Sequence, residues 1–129
     1  MNARRIFYLT AMGAAGLLVL LHATAVHWPR FVLAFVLIDL VGYLPGAQAF
    51  RRARGGPIAP LYHHLYNVTH SFHTAAIVVG GWAVALGGFE WAMLAIPLHL
   101  CGDRGIFGNG PKPVHRPFEH AQPRPQEAA

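Results

Sequence analysis

Four long apolar stretches, separated by short polar or glycine-containing segments, make up most of the chain. They run over residues 6–27, 31–50, 60–86 and 89–103. A helix needs roughly 20 apolar residues to cross a bilayer, which the first three stretches supply and the fourth approaches. Proline, arginine and glycine residues between the stretches mark turns, and short turns place successive helices antiparallel. The pattern therefore predicts an all-α fold, an integral membrane antiparallel four-helix bundle.

The composition favours a membrane protein over a soluble domain. The chain is 54% hydrophobic and 12% charged, whereas about 25% of the residues are charged in an average soluble domain. The net charge of +5 comes from short Lys and Arg clusters between the apolar stretches, not from a basic surface interleaved with aromatic residues. The lipid bilayer is the predicted partner, and nucleic acid is excluded. The single Cys101 excludes an intramolecular disulfide and a cysteine-based zinc site.

The basic residues concentrate at one end of the predicted bundle. That end has Arg4, Arg5, Arg51, Arg52, Arg54, Arg104, Lys112, Arg116 and Arg124, whereas the opposite end has Arg30. Because Lys and Arg are enriched on the cytoplasmic side, we expect a multi-pass protein with both termini in the cytoplasm. An alternative stays open: the first stretch and Ala23-Thr24-Ala25 also resemble a signal peptide, in which case residues 1–25 would be cleaved.

The character of the chain changes after residue 107. Five prolines follow among polar residues, at positions 111, 113, 117, 123 and 125. Such a segment has too few apolar residues to form a packed core. The sequence predicts a transmembrane domain over residues 1–107 and a disordered, Pro-rich cytoplasmic tail over residues 108–129.

Polar residues inside the apolar stretches form the candidate site, because ionisable groups are expensive at membrane depth. His63, Asn67 and His70 share one face of the third predicted helix, and His99 and Asp103 lie one turn apart on the fourth. A histidine and a carboxylate at such a spacing are able to hold one divalent ion. The same side chains could instead be interhelical hydrogen-bond partners without any ligand.

The predicted metal site combines side chains from three helices. Its ligands are Asp39, His70, His99 and Asp103, with His63 as a further ligand or an outer partner. Asn67 would orient water, and Arg104 would pair with a carboxylate near the interface. Imidazole and carboxylate donors without a thiolate suit zinc, iron or manganese, so a divalent metal is the expected cofactor.

Several short motifs carry a family resemblance. They are Asp39-Leu40, Gly42-Tyr43-Leu44, Tyr66-Asn67 with His70, His99 with Asp103-Arg104, and residues 108–112. In this order they resemble the bacterial integral membrane proteins grouped as domain of unknown function 4260. The resemblance implies a small four-helix protein of the bacterial cytoplasmic (inner) membrane, without an established activity. In this chain the segment from Asp39 to Gly42 is shorter than in that pattern, and one extra residue precedes Gly108.

A looser similarity points to a reaction. An acidic residue in one helix, His64 with Thr69-His70-Ser71 in another, and His99 with Asp103 before a glycine are similar to the YdjM-like membrane-bound metal-dependent hydrolases. The similarity implies a metal-activated water that attacks a lipid or another membrane-accessible ester. An anionic head group would then be held by basic residues at the cytoplasmic end, namely Arg51, Arg52, Arg54 and Arg104.

Two other classes of function stay open. His70 and His99 on facing helices could be the axial ligands of a b-type haem in an electron-transfer protein. Against haem, the glycines that would make room for a macrocycle, Gly80 and Gly81, lie well away from His70. The protein could also be a non-catalytic accessory subunit, whose polar face docks on a membrane protein partner or on a second copy.

Overall fold

The computed structural model describes residues 1–119, which form helices and turns without a strand. The helices are α1 (Ala3–Leu21), α2 (Trp28–Gly42), α3 (Leu44–Arg52), α4 (Pro60–Thr69), α5 (Phe72–Leu86) and α6 (Ala95–Gly102). A 3-10 turn over Trp91–Leu94 precedes α6, and a π-helical turn over Asp103–Phe107 follows it. The all-α class predicted from the sequence is confirmed.

Within residues 1–119, two helices are long and apolar enough to cross a membrane, by length and composition. They are α1, with 19 residues, and the continuous helix of 25 residues that α2 and α3 form together. The junction of α2 and α3 at Tyr43 comes two residues before Pro45. Proline has no N–H to donate to the carbonyl four residues earlier, so the hydrogen-bond ladder is interrupted there. α5 is apolar but shorter.

The third predicted helix, over residues 60–86, is divided in the structure. α4 ends at Thr69 and α5 begins at Phe72. Ser71 has an extended backbone, and its hydroxyl accepts from the His73 N–H at 3.2 Å, which makes it the N-cap of a new helix. The regular spacing expected from His63 to His70 on one continuous helix therefore ends at His70, which lies at the junction.

Contacts at the two ends of α1 show that it runs antiparallel to the α6 segment. At its C-terminal end the ring of His22 stacks on that of Trp91, with centroids 3.7 Å apart. At its N-terminal end Arg5 donates from Nε to the Gly105 carbonyl at 2.9 Å and from Nη2 to that of Ile106 at 3.3 Å. These carbonyls belong to the π-helical turn that follows α6, so Arg5 supplies hydrogen-bond donors to the carbonyls at the C-terminal end of that segment.

Residues 108–119, here called the C-terminal strap, pack against the helices, unlike the predicted disordered tail. The Asn67 side chain donates to the Lys112 carbonyl at 3.0 Å and accepts from the Lys112 N–H at 2.6 Å. Phe118 is 1% exposed and lies among Ala47 and Tyr66. The reason is local: a buried aromatic ring and two amide hydrogen bonds offset the cost of ordering a short segment. Residues 120–129 of the predicted tail lie outside the described part.

Lys112 connects two parts of the C-terminal strap. Its ammonium donates to the Phe118 carbonyl at 2.6 Å and lies over the rings of Tyr66 and Phe118, 4.7 and 4.8 Å from their centroids. Burial lowers the pKa of the Lys112 ammonium, because the charged form is less well solvated there. The aromatic faces and the carbonyl replace part of the lost water.

Candidate metal centre

Four side chains from three parts of the chain converge between the helices. Asp39 lies on α2, His70 at the junction of α4 and α5, His99 on α6, and Asp103 at the start of the π-helical turn. One nitrogen or oxygen atom from each side chain lies within 4.8 Å of the corresponding atoms of the other three. These are the four residues that the sequence names as first choice for the ligands, and we call them the Asp-His cluster.

The nitrogen and oxygen atoms alternate around the Asp-His cluster. His70 Nε2 lies 3.2 Å from Asp39 Oδ1 and 3.3 Å from Asp103 Oδ2. His99 Nε2 lies 3.4 Å from the same Asp39 atom and 3.5 Å from the same Asp103 atom. Atoms that bind one zinc ion tetrahedrally at about 2.0–2.1 Å lie roughly 3.3–3.4 Å from one another, which agrees with these four separations. The atoms are thus spaced like the ligands of a small divalent ion.

Contacts on the other side of the ring orient His70. Its Nδ1 lies 3.0 Å from the Tyr66 carbonyl oxygen and 2.9 Å from Thr69 Oγ1. A carbonyl can only accept, so Nδ1 carries a proton and donates to it, while Nε2 faces the carboxylates. The Tyr66 ring also stacks on the imidazole, with centroids 3.9 Å apart. Histidine ligands of metals are commonly oriented by such a bond from the other ring nitrogen.

The reasoning from sequence missed Tyr66 and Thr69. The sequence contains a signal for Tyr66. It lies four residues before His70, so in the last turn of a helix its carbonyl is within reach of the His70 side chain. Thr69 could not be anticipated, because its contact depends on the break before Ser71.

His99 is the least satisfied member of the Asp-His cluster. It is 5% exposed, and neither of its ring nitrogens has a hydrogen-bond partner within residues 1–119. Its Nε2 points towards the carboxylates without hydrogen-bond alignment, and the Phe35 ring packs against it with centroids 4.7 Å apart. A buried polar atom without a partner costs about 1–3 kcal/mol. A metal ion at the centre would give Nε2 a partner.

The charges of the Asp-His cluster also favour a cation. Two carboxylates lie in the same group of atoms, and within residues 1–119 neither pairs with a Lys or Arg side chain. Two such charges repel each other strongly away from bulk water. A divalent ion bound by two neutral imidazoles and two carboxylates gives a site with no net charge.

The remaining predicted site residues lie elsewhere. His63 is 2% exposed and packs edge-on against Phe118, with ring centroids 5.4 Å apart, and it is not part of the Asp-His cluster.

The two predicted supporting residues have other partners. Asn67, expected to orient water, binds the Lys112 backbone. Arg104, expected to pair with a carboxylate, donates to the His70 carbonyl at 3.0 Å and to the Tyr8 hydroxyl at 3.2 Å. Asn67 and Arg104 therefore support the surroundings of the site.

The Asp-His cluster separates two cavities of different character. A polar cavity of about 340 Å³ reaches His70 and Asp103 and is bounded by Arg104 and the first part of the C-terminal strap. A larger apolar groove of about 620 Å³ lies between α1, α2 and α6 and reaches Asp39, His99 and Asp103. Asp103 borders both. The site is accessible from an apolar side and from a polar side.

Comparisons of the chain with protein-family models, with curated proteins and with solved structures give no match. The resemblances to the domain of unknown function 4260 proteins and to the YdjM-like hydrolases stay predictions from the sequence.

Proposed function

We propose that this protein is an integral membrane protein that holds one divalent metal ion through Asp39, His70, His99 and Asp103. The observation that carries the proposal is the alternating ring of imidazole and carboxylate atoms at 3.2–3.5 Å. Two nitrogens and two oxygens without a thiolate suit zinc first, with iron or manganese as the other candidates.

The apolar surface of the helices supports a location in the bilayer. α5 has no buried residue, and Ile77 and Val84 on it are 75% and 83% exposed. Leu20 and Leu21 on α1 are 73% and 69% exposed. Contact with lipid chains would remove these apolar side chains from water, which is favourable. The proposed arrangement is a four-pass antiparallel bundle in the cytoplasmic membrane of a bacterium, with both termini in the cytoplasm.

A hydrolytic role fits the surroundings of the site. The Asp39 side chain is 45% exposed and faces the apolar groove, so one side of the Asp-His cluster is open. A catalytic zinc site needs a coordination position for water, which a shift of the half-exposed Asp39 carboxylate would open. The ion would then supply Lewis acidity and lower the pKa of that water. The apolar groove would position a hydrocarbon chain, and the polar cavity beside His70 and Asp103 would admit water. The proposed reaction class is hydrolysis of a membrane-accessible ester.

A b-type haem is disfavoured by the position of the carboxylates. The oxygens of Asp39 and Asp103 lie within 3.5 Å of both imidazole nitrogens. A macrocycle between the two histidines would need the same space. The alternative to a metal enzyme is therefore a non-catalytic accessory subunit, in which the Asp-His cluster serves only to hold helices together.

Metal content tests the proposal. Protein without a His tag would be purified in detergent and analysed by elemental mass spectrometry, beside a His70→Ala, His99→Ala variant. A His64→Ala, His73→Ala variant is the matched control, because it removes two exposed histidines. We expect about one zinc, iron or manganese ion per chain in the wild type and the control, and a loss in the first variant. Wild-type protein without metal would favour the accessory subunit.

A further inference from the structure

A basic pocket adjoins the polar cavity beside the Asp-His cluster. It has a volume of about 260 Å³ and is lined by Arg4, Arg5, Tyr8, Arg104 and the glycine-containing segment 108–111. Arg104 and residues 109–111 line both spaces. The basic pocket therefore lies next to the side of the cluster formed by His70 and Asp103.

The basic pocket brings positive charges together. Among the residues that the structure describes, three guanidinium groups line it and no Asp or Glu side chain does. Within residues 1–119 none of these three arginines forms a salt bridge. Convergent like charges repel one another and attract an anion, most strongly beside low-dielectric walls. The positive-inside rule accounts for basic residues at this end of the protein, but not for their convergence around one cavity.

Arg104 is held in place with donors to spare. It donates from Nη1 to the Tyr8 hydroxyl at 3.2 Å and from Nη2 to the His70 carbonyl at 3.0 Å, and it lies 4.5 Å from the centroid of Phe72. A guanidinium has five N–H groups, so others stay available for a ligand. Tyr8 accepts from Arg104, which leaves its own O–H to donate. Arg5, in contrast, uses two nitrogens to close the π-helical turn.

We propose that the basic pocket binds a phosphate group, and that the substrate of the metal centre is a phosphate ester. The second part rests on the proposed function. A phosphate offers several oxygens and up to two negative charges, which matches convergent arginines and a tyrosine hydroxyl, and the fork of a guanidinium binds it bidentately. The phosphate belongs either to a lipid head group or to a soluble ester.

Calorimetric titration of metal-free protein tests phosphate binding. The metal would be removed with a chelator, which is then dialysed away, and the protein in uncharged detergent would be titrated with inorganic phosphate and with dioctanoyl phosphatidate. Arg4→Gln removes one charge from the basic pocket. Arg116→Gln is the matched control, because it removes one charge from an exposed position outside the basic pocket on the same predicted side of the membrane. A Tyr8→Phe variant tests the hydroxyl without changing the charge.

We expect saturable binding. Arg4→Gln should weaken it about tenfold, as expected for loss of a charged hydrogen bond, and Arg116→Gln should change it less than twofold. Tighter binding of dioctanoyl phosphatidate would identify a lipid head group, and equal affinities would identify phosphate itself. No saturable binding, or equal losses in both arginine variants, would overturn the proposal. Because these titrations contain no metal, their failure is distinct from the absence of metal in the wild-type protein.

Discussion

At the scale of the residue, the sequence predicts the ligands better than their surroundings. Asp39, His70, His99 and Asp103 stand out because charged or imidazole groups are rare in apolar helices. His63 is equally rare and equally buried, yet it packs on Phe118. Spacing along one helix cannot separate these cases, because the contact of His63 is with Phe118 in the C-terminal strap, far along the sequence.

Removing one carboxylate isolates its contribution to metal affinity. Asp39→Asn keeps the size of a side chain that is 45% exposed, so the fold should tolerate it. We expect the zinc Kd to rise more than about hundredfold, which exceeds the effect of changing an outer partner of a ligand. Competition with a chromophoric chelator measures this Kd. Glu90→Gln, which removes a carboxylate paired with Arg30, should change it less than threefold, and equal effects would contradict the assignment.

At the scale of the element, the sequence predicts helical structure but not where each helix ends: four stretches are predicted, and residues 1–119 contain six α-helices. Hydropathy gives an apolar stretch over residues 60–86, but it does not register the Ser71 N-cap that divides it into α4 and α5. Hydropathy also does not predict the π-helical turn after α6. Both features depend on hydrogen bonds of single residues, which an average over many residues hides.

The close approach of α2 and α4 depends on Gly42. A Cβ atom at this position would collide with the side chain of Thr69, whereas one at Gly13 on α1 would meet nothing within 4 Å. Gly42→Ala should lower the free energy of unfolding by about 1–3 kcal/mol through overpacking. Gly13→Ala should leave it unchanged or raise it by up to about 1 kcal/mol. Thermal unfolding in detergent compares the two, and equal stabilities would refute this packing.

Phe118 is the anchor of the C-terminal strap. Phe118→Ala should lower the free energy of unfolding by about 3 kcal/mol, since the ring is 1% exposed. Val114→Ala in the same strap is the control, because Val114 is 45% exposed and its loss should change stability by less than about 0.5 kcal/mol. Proteolysis within the strap should accelerate only in the Phe118 variant. A strap that is cleaved equally fast in the wild type would contradict the packing described here.

At the scale of the whole molecule, charge and hydropathy together predict how the chain crosses the membrane. α1 and the α2–α3 helix have sufficient length and apolar character for a crossing. α5 and α6 are shorter, so in the proposed four-pass arrangement their crossings would depend on neighbouring helices and on polar side chains near their ends. The orientation is predicted from the arginines in the loops, because loop charge and not helix packing decides it.

Cysteine accessibility tests this topology. Cys101 is the only cysteine and is buried, so a single cysteine introduced at an exposed site reports its own side of the membrane. Asn2→Cys should react with a membrane-impermeant maleimide only after the cytoplasmic face is exposed in inverted vesicles. Gly88→Cys, between α5 and α6, should react in intact spheroplasts. The reverse pattern, or labelling of both sites from one side, would refute the proposed four-pass orientation.

The most direct measurement is the X-ray absorption spectrum at the edge of the metal that copurifies with the protein. The account predicts four nitrogen and oxygen ligands at about 2.0–2.1 Å, with outer-shell scattering from two imidazoles. The His70→Ala, His99→Ala variant should lose that scattering. A wild-type spectrum with sulfur at the metal, with no imidazole contribution, or with no metal edge above background would contradict a metal ion bound by Asp39, His70, His99 and Asp103.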